Sequence, residues 1–171
     1  MDTLLASIVI PIHATTAFLA ITLGPVNMVR RRRDRLHRNV GRSWIVLMYA
    51  TSVSGLFIVE NGITLFHALA VFTICTVTLG LLRIRKGDTT GHAGNMIGSY
   101  IGLLIAFGFA ALLPERLIWQ TATTHPLGVL AYAGSLCLAV VGWVFALRRA
   151  ARQRARPQER AGALTNVQPA P

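Results

Sequence analysis

The fold is indicated most clearly by residues 63–86, which read ITLFHALAVFTICTVTLGLLRIRK. The run 63–82 is apolar apart from threonines, one glycine and one histidine, and three cations follow it directly. An α-helix rises 1.5 Å per residue, so about 20 residues cross a hydrocarbon core of roughly 30 Å. The stretch therefore predicts a transmembrane helix with a cytoplasmic end at its cations.

Four more apolar runs lie elsewhere in the chain, at 4–29, 43–59, 93–113 and 127–147. Hydrophobic residues make up 53% of the 171 residues and charged residues 13%, whereas about a quarter of an ordinary soluble domain is charged. We therefore predict an all-α fold, a polytopic membrane helix bundle of about five transmembrane helices within residues 1–147. Residues 148–171 are basic and poor in apolar side chains, which predicts a disordered tail.

The positive residues give the orientation. Residues 30–42 hold seven Lys or Arg, 83–92 hold three and 148–160 hold six, while Arg116 stands apart. With five spans all three blocks fall on one side, which the positive-inside rule assigns to the cytoplasm. The N-terminus is then outside and the C-terminus inside. We expect these clusters to attract anionic lipid headgroups and not to bind nucleic acid, because they flank apolar runs.

Small residues recur every four positions in the fourth apolar run. In a membrane, small side chains let a neighbouring helix approach closely. The spacing predicts a packing face whose partner is another helix of this chain, a second copy or another protein of a membrane complex. The stripe consists of Gly94, Gly98, Gly102, Ala106 and Ala110.

Four histidines lie in or beside the first four apolar runs. At 1.5 Å per residue, His13 and His67 fall roughly 13 and 6 Å inside the outer boundary. His37 and His92 lie just before the second and fourth runs, at the cytoplasmic edge. An ionisable side chain within a membrane indicates a functional role. The histidines thus divide into an outer pair and an inner pair.

This division is typical of two bis-imidazole sites stacked across the membrane, as haem b iron requires of its axial ligands. Other interpretations remain open: a transition metal, or a substrate, quinone or proton pathway. Alternatively, neutral His13 and His67 form hydrogen bonds to Thr16, Thr64 or a neighbouring helix, and His37 and His92 are interfacial loop residues. Three cations flank the inner pair and are candidate partners of haem propionates. They are Arg38, Arg42 and Arg85.

An acidic residue, Asp88, precedes His92 by four positions. It either orients that imidazole or forms an ordinary ion pair with Arg85 or Lys86. The sequence holds no Gly-rich phosphate loop, no G-x-S-x-G and no H-E-x-x-H. We therefore predict no hydrolytic or nucleotide-binding enzyme.

Three different short motifs lie at the ends of the predicted spans. The most specific are H-R-x-x-G-R at 37–42 and R-x-G-D-x-x-x-H at 85–92, with LLPERL at 112–117. Over roughly residues 8 to 120 the chain resembles bacterial membrane proteins grouped as domain of unknown function 2306. The resemblance implies a multi-pass protein of the bacterial plasma membrane that uses its four histidines together. Relatives usually carry arginine after the second motif's histidine, where this chain has Ala93.

Two hypotheses of function follow. The first is a bis-histidine haem b protein that carries electrons in the membrane. The alternative is a cofactor-free helical membrane protein that acts in complex assembly or small-solute transport.

Overall fold

The computed structural model describes residues 3–30, 33–59, 62–114 and 117–165, and the regular structure in these ranges is entirely helical. The predicted all-α helix bundle is confirmed. Six helices follow one another along the described chain: α1 Thr3–Met28, α2 Arg35–Leu56, α3 Leu65–Arg85, α4 Thr89–Leu112, α5 Leu117–Thr124 and α6 Pro126–Thr165.

The first four helices form a ring. Each packs against the next, and α4 returns to pack against α1. Within the described ranges, the backbone of α1 stays apart from that of α3, and the backbone of α2 from that of α4, so these two pairs lie across the ring from each other. Helix α6 packs outside the ring against α1 and α2. We call the end where α1 and α3 finish and α2 and α4 start the arginine end, because Arg30 and Arg83 lie there.

Four helical segments of the described chain are long and apolar enough to cross a membrane. They match the first, third, fourth and fifth predicted spans. The second predicted span falls in α2, which is less apolar, so a total of five spans stays a prediction. The four segments are Ser7–Met28, Leu65–Arg85, Thr89–Leu112 and Pro126–Ala150.

Helix α2 buries one face in the bundle, although Val46 and Val53 on the remainder of its surface are exposed. Its side chains at positions 36, 40, 44 and 48 are each at most 4% exposed and form one stripe with a four-residue interval. Thr51, Ser52 and Ser54 are buried as well. A buried helix face tolerates polar side chains that a lipid-facing surface does not, which accounts for the lower apolar content of α2.

Two aspartates start α2 and α4 earlier than the apolar pattern predicts. The Asp34 carboxylate accepts a hydrogen bond from the His37 backbone N–H at 3.1 Å, and Asp88 accepts from the Gly91 N–H at 2.8 Å. Such caps satisfy backbone N–H groups that a first helical turn leaves free. The helices therefore begin at 35 and 89, not at the predicted 43 and 93, and the inner histidines lie on helices instead of in loops.

A proline sets the contact between α1 and α4. Pro25 has no backbone N–H, so the carbonyl of Ile21 loses its partner within α1. The Tyr100 hydroxyl donates a hydrogen bond to that carbonyl oxygen at 3.0 Å. The tyrosine thus replaces the donor that the proline removes.

The same region of α1 is held to α2. Trp44 Nε1 donates to the Ala20 carbonyl oxygen at 3.0 Å. Gly24 lies between the two aromatic rings, and a Cβ added there would be 2.6 Å from the Tyr100 ring and 3.1 Å from Trp44 Nε1. The glycine therefore permits the close approach of α1, α2 and α4.

The C-terminal part of the chain differs from the prediction. Helix α6 runs past residue 147 to Thr165, so the backbone of 148–165 is helical where we predicted disorder. The segment is rich in alanine and arginine, which favour helix without needing an apolar face, although it also contains Pro157 and Gly162, which do not. Residues 166–171 lie outside the described part. The short helix α5, between the fourth and fifth predicted spans, was not predicted.

Candidate site at the arginine end of the bundle

The imidazole of His92, in the first turn of α4, is hydrogen-bonded to α3. Its Nδ1 lies 2.9 Å from the carbonyl oxygen of Gly80. A carbonyl oxygen accepts but does not donate, so Nδ1 carries the proton and Nε2 keeps its lone pair. Histidines that bind metals are commonly oriented by a hydrogen bond of this kind.

The glycine allows this contact. A Cβ added at Gly80 would collide with the methyl group of Met96 and would lie 3.1 Å from the Cβ of Asn95. The two helices therefore approach closely where the His92 ring meets the α3 backbone.

Asp88 does not orient His92 in the structure. In addition to capping α4, its carboxylate lies 4.0 Å from Nε of Arg83. The structure therefore agrees better with an ion pair of Asp88 than with a role in orienting His92. The partner in this ion pair is Arg83, not Arg85 or Lys86. The group that orients His92 is the Gly80 carbonyl.

His37 lies across the ring from α4, in the first turn of α2. Burial is the main cause that lowers its pKa below the ordinary value of 6.5. His92 when protonated, Arg33 and Arg30 lower this pKa further, and Asp34 opposes them. The pKa of Asp34 is lowered to about 2 by its hydrogen bonds from Arg30 and the His37 backbone N–H. A neutral His37 imidazole is therefore favoured, as a metal ligand requires.

Two buried polar atoms on α1 and α2 at this end have no partner among the described residues. One is Nδ1 of His37 and the other is Oδ1 of Asn27. The Asn27 side chain is adjacent, because its Nδ2 donates to the His37 carbonyl oxygen at 2.9 Å. Buried polar atoms without partners cost about 1–3 kcal/mol each. The arginine end is thus a polar site whose hydrogen bonds are incomplete.

At the opposite end, His13 of α1 is bonded to α2. Its Nδ1 lies 3.0 Å from the carbonyl oxygen of Thr51 and 3.2 Å from Oγ of Ser54. As in His92, the proton is on Nδ1 and the Nε2 lone pair is free. Thr51 and Ser54 belong to α2, so this imidazole bonds to a neighbouring helix, one of the partners predicted as the alternative to a ligand role, and not to Thr16.

His67 is arranged differently. Its Nδ1 accepts a hydrogen bond from the Thr64 backbone N–H at 3.1 Å, at the start of α3. A neutral imidazole with an accepting Nδ1 carries its proton on Nε2, and this buried Nε2 has no partner in the described chain. The contact to Thr64 agrees with the hydrogen-bonding interpretation of His67.

The ring topology relates the four histidines. His13 on α1 and His67 on α3 belong to one pair of opposite helices, and His37 on α2 and His92 on α4 belong to the other. In the second pair, burial is the main cause of the lowered pKa of His37, and charge on His92 is the next. Within the described residues, no group of three or more His, Cys, Asp or Glu side chains is suited to hold a metal ion.

The arginines of this end fall into two groups. Arg30 and Arg83 lie beside the two capping aspartates and partly neutralise them. The three predicted propionate partners are exposed and form no ion pair with a described residue; they are Arg38, Arg42 and Arg85.

The stripe of small residues on α4 lies on an open face. A Cβ added at Gly94 or Gly98 would meet no described atom within 4 Å, and one at Gly102 would meet only Leu69, at 3.9 Å. Helices of this chain instead approach closely at Gly24 and Gly80. A partner for the Gly94 and Gly98 face would have to come from outside the described chain.

Sequence reasoning missed Asn27, Asn95 and Gly80. The two asparagines carried a signal, because each is an amide within or beside an apolar run, and buried atoms of both lack partners in the described structure. Gly80 contributes through its backbone carbonyl, which no sequence motif identifies.

An all-helical bundle with several membrane-spanning helices defines a multi-pass membrane protein. The chain matches the family described as Predicted membrane protein (DUF2306) over residues 10–148 and belongs to it. No curated protein and no solved structure matches the chain.

Proposed function

We propose that the chain is a bis-histidine haem b protein that carries electrons within the membrane, with its principal haem between His37 and His92. The observation that supports this is the His92 imidazole, which donates Nδ1–H to the Gly80 carbonyl and leaves Nε2 free, opposite a His37 that is held neutral. Haem iron between two imidazoles supplies one-electron transfer.

The residues of the inner pair fit this role better than those of the outer pair. Gly80 orients the His92 ring, and Asn27 holds the backbone of His37 through the His37 carbonyl. Arg38 and Arg85 are free to neutralise propionates, whereas Arg42 lines a groove beside α6. At the outer pair, His13 is ready to bind a metal, but His67 must give up its bond to Thr64 and move its proton. We therefore propose that the outer pair, His13 and His67, binds a second haem more weakly than the inner pair binds the first.

An absorption spectrum of purified protein from cells supplied with a haem precursor tests the proposal. We expect a Soret band that is lost in His92→Ala and strongly reduced in His37→Ala. His125→Ala is the matched control, because His125 is an exposed histidine at the opposite end and should leave the band unchanged. A colourless wild-type protein that also fails to bind added haem would rule the proposal out.

We also propose that the arginine end faces the cytoplasm of a bacterium, with five helices crossing its plasma membrane. The distribution of positive residues supports this orientation, and the buried face of α2 supports its inclusion as a span.

A second candidate function is favoured by the open face of α4. A cofactor-free protein that assembles with a second copy or with another membrane protein would use Gly94, Gly98 and Gly102 for close helix packing. Gly98→Leu should then disrupt a complex on native gels, whereas Ile97→Leu on the same helix should not. An unchanged complex in Gly98→Leu would exclude this face as the interface.

A further inference from the structure

A groove lies between α1, α2 and α6 on the outside of the ring. Its volume is about 580 Å³, within the roughly 300–1,000 Å³ that small-molecule sites occupy. It is open on one side, and only 6% of the adjoining α6 span is buried, so the groove faces lipid. The apolar residues that line it include Leu19, Leu23, Val46, Leu47, Val140 and Trp143.

One end of this groove is polar. Arg42 and Ser43 line it at the arginine end. Arg42 has no ion-pair partner in the described chain, and the Ser43 hydroxyl makes no hydrogen bond to a described residue. Most other membrane hydroxyls, such as those of Thr22 and Thr73, bond to a carbonyl of their own helix. The groove therefore ends in a free cation and a free hydroxyl.

A second groove on the other side of the α1–α6 contact has the same arrangement. Its walls are apolar and Val140 borders both grooves. A cation, Arg148, again lies at the arginine end. In both grooves, apolar walls lead to one arginine. This arrangement is complementary to an amphiphile with an apolar chain and an anionic headgroup.

We propose that the groove beside Arg42 binds one anionic phospholipid. An acyl chain lies along the apolar walls, and the phosphate accepts hydrogen bonds from the Arg42 guanidinium and the Ser43 hydroxyl. A guanidinium matches phosphate geometry with two parallel donors. This site goes beyond electron transfer and does not depend on haem, so either proposal can fail without the other.

Fluorescence quenching by brominated lipids tests the site, because Trp143 lines the groove. Full-length protein is placed in phosphatidylcholine vesicles that contain brominated phosphatidylglycerol or, separately, brominated phosphatidylcholine. The signal that disappears in Trp143→Phe is taken as that of Trp143. We expect the anionic lipid to quench this signal at about fivefold lower mole fraction, the preference that one arginine provides at a membrane surface.

Variants distinguish the groove from general surface charge. Arg42→Gln should abolish the preference, Arg42→Lys should keep most of it, and Ser43→Ala should weaken it. Arg85→Gln removes an equal charge from the same end outside the groove and should leave the preference intact. Equal quenching by both lipids, an equal loss in Arg85→Gln, or a Trp143 that no brominated lipid reaches would overturn the proposal. The last result would indicate a protein partner over the groove.

Discussion

The Tyr100 hydroxyl donates a hydrogen bond to the carbonyl oxygen of Ile21, which Pro25 leaves without its helical donor. The contact joins α1 to α4 across 79 positions of the sequence. It closes the ring of four helices that positions the histidines.

This relationship predicts a specific non-additivity. Tyr100→Phe should lower the free energy of unfolding by about 1–2 kcal/mol, because it leaves the Ile21 carbonyl without a partner. In a Pro25→Ala background the new backbone N–H can bond that carbonyl, so the same substitution should cost roughly half as much or less. Reversible unfolding in mixed detergent measures the free energy of unfolding of the wild type, the two single variants and the double variant. An equal cost of Tyr100→Phe in both backgrounds would show that the two residues are not linked.

Gly24 should be intolerant of any side chain. Gly24→Ala places a methyl group against the Tyr100 ring and Trp44 Nε1, both of which are held by hydrogen bonds to α1. We expect a loss of about 1–3 kcal/mol, as for overpacked cores. Gly98→Ala is the control, because its Cβ meets open space and alanine favours helix. Thermal unfolding in detergent compares the two, and similar stabilities would contradict the packing described.

The lowered pKa of His37 predicts a dependence of stability on pH. The unfolded chain binds a proton near the ordinary pKa of 6.5, whereas the folded chain binds it only at lower pH. Stability should therefore fall as the pH drops below about 6.5 in haem-free protein. His37→Gln should reduce this fall and His125→Gln should not. Melting temperatures at pH 7.5 and 5.5 provide the test, and the same pH dependence in His37→Gln as in wild type would refute it.

The five-span topology predicts the sidedness of each connection. Alkaline phosphatase fused after residue 62 or 124 should be active, and green fluorescent protein fused after residue 87 or 150 should be fluorescent. The fusion after residue 62 is decisive for α2. If alkaline phosphatase fused after residue 62 is inactive and green fluorescent protein fused at the same position is fluorescent, α2 does not cross the membrane.

The fold could be predicted where it depends on local properties of the sequence. The length of an apolar run and the cations at one of its ends sufficed for the runs that became α1, α3, α4 and α6. The starts of α2 and α4 were missed because Asp34 and Asp88 cap helices within polar segments.

The candidate site was predictable in part. The depth of each histidine follows from its position along a span, which gave the outer and inner pairs. The orientation of the His92 and His13 rings could not be predicted from that position. It depends on backbone carbonyls of other helices, those of Gly80 and Thr51. The protonation of His67 on Nε2, where His13 and His92 carry the proton on Nδ1, likewise depends on a hydrogen bond from the Thr64 backbone N–H.

The central claim is that two imidazoles of opposite helices, His37 and His92, bind one haem iron. The electron paramagnetic resonance spectrum of oxidised protein, purified from cells supplied with a haem precursor, tests it most directly. We predict a low-spin ferric signal typical of two imidazole ligands, which is lost in the His37→Ala/His92→Ala double variant. A low-spin signal that persists unchanged in the double variant, or wild-type protein without haem iron, would contradict the claim.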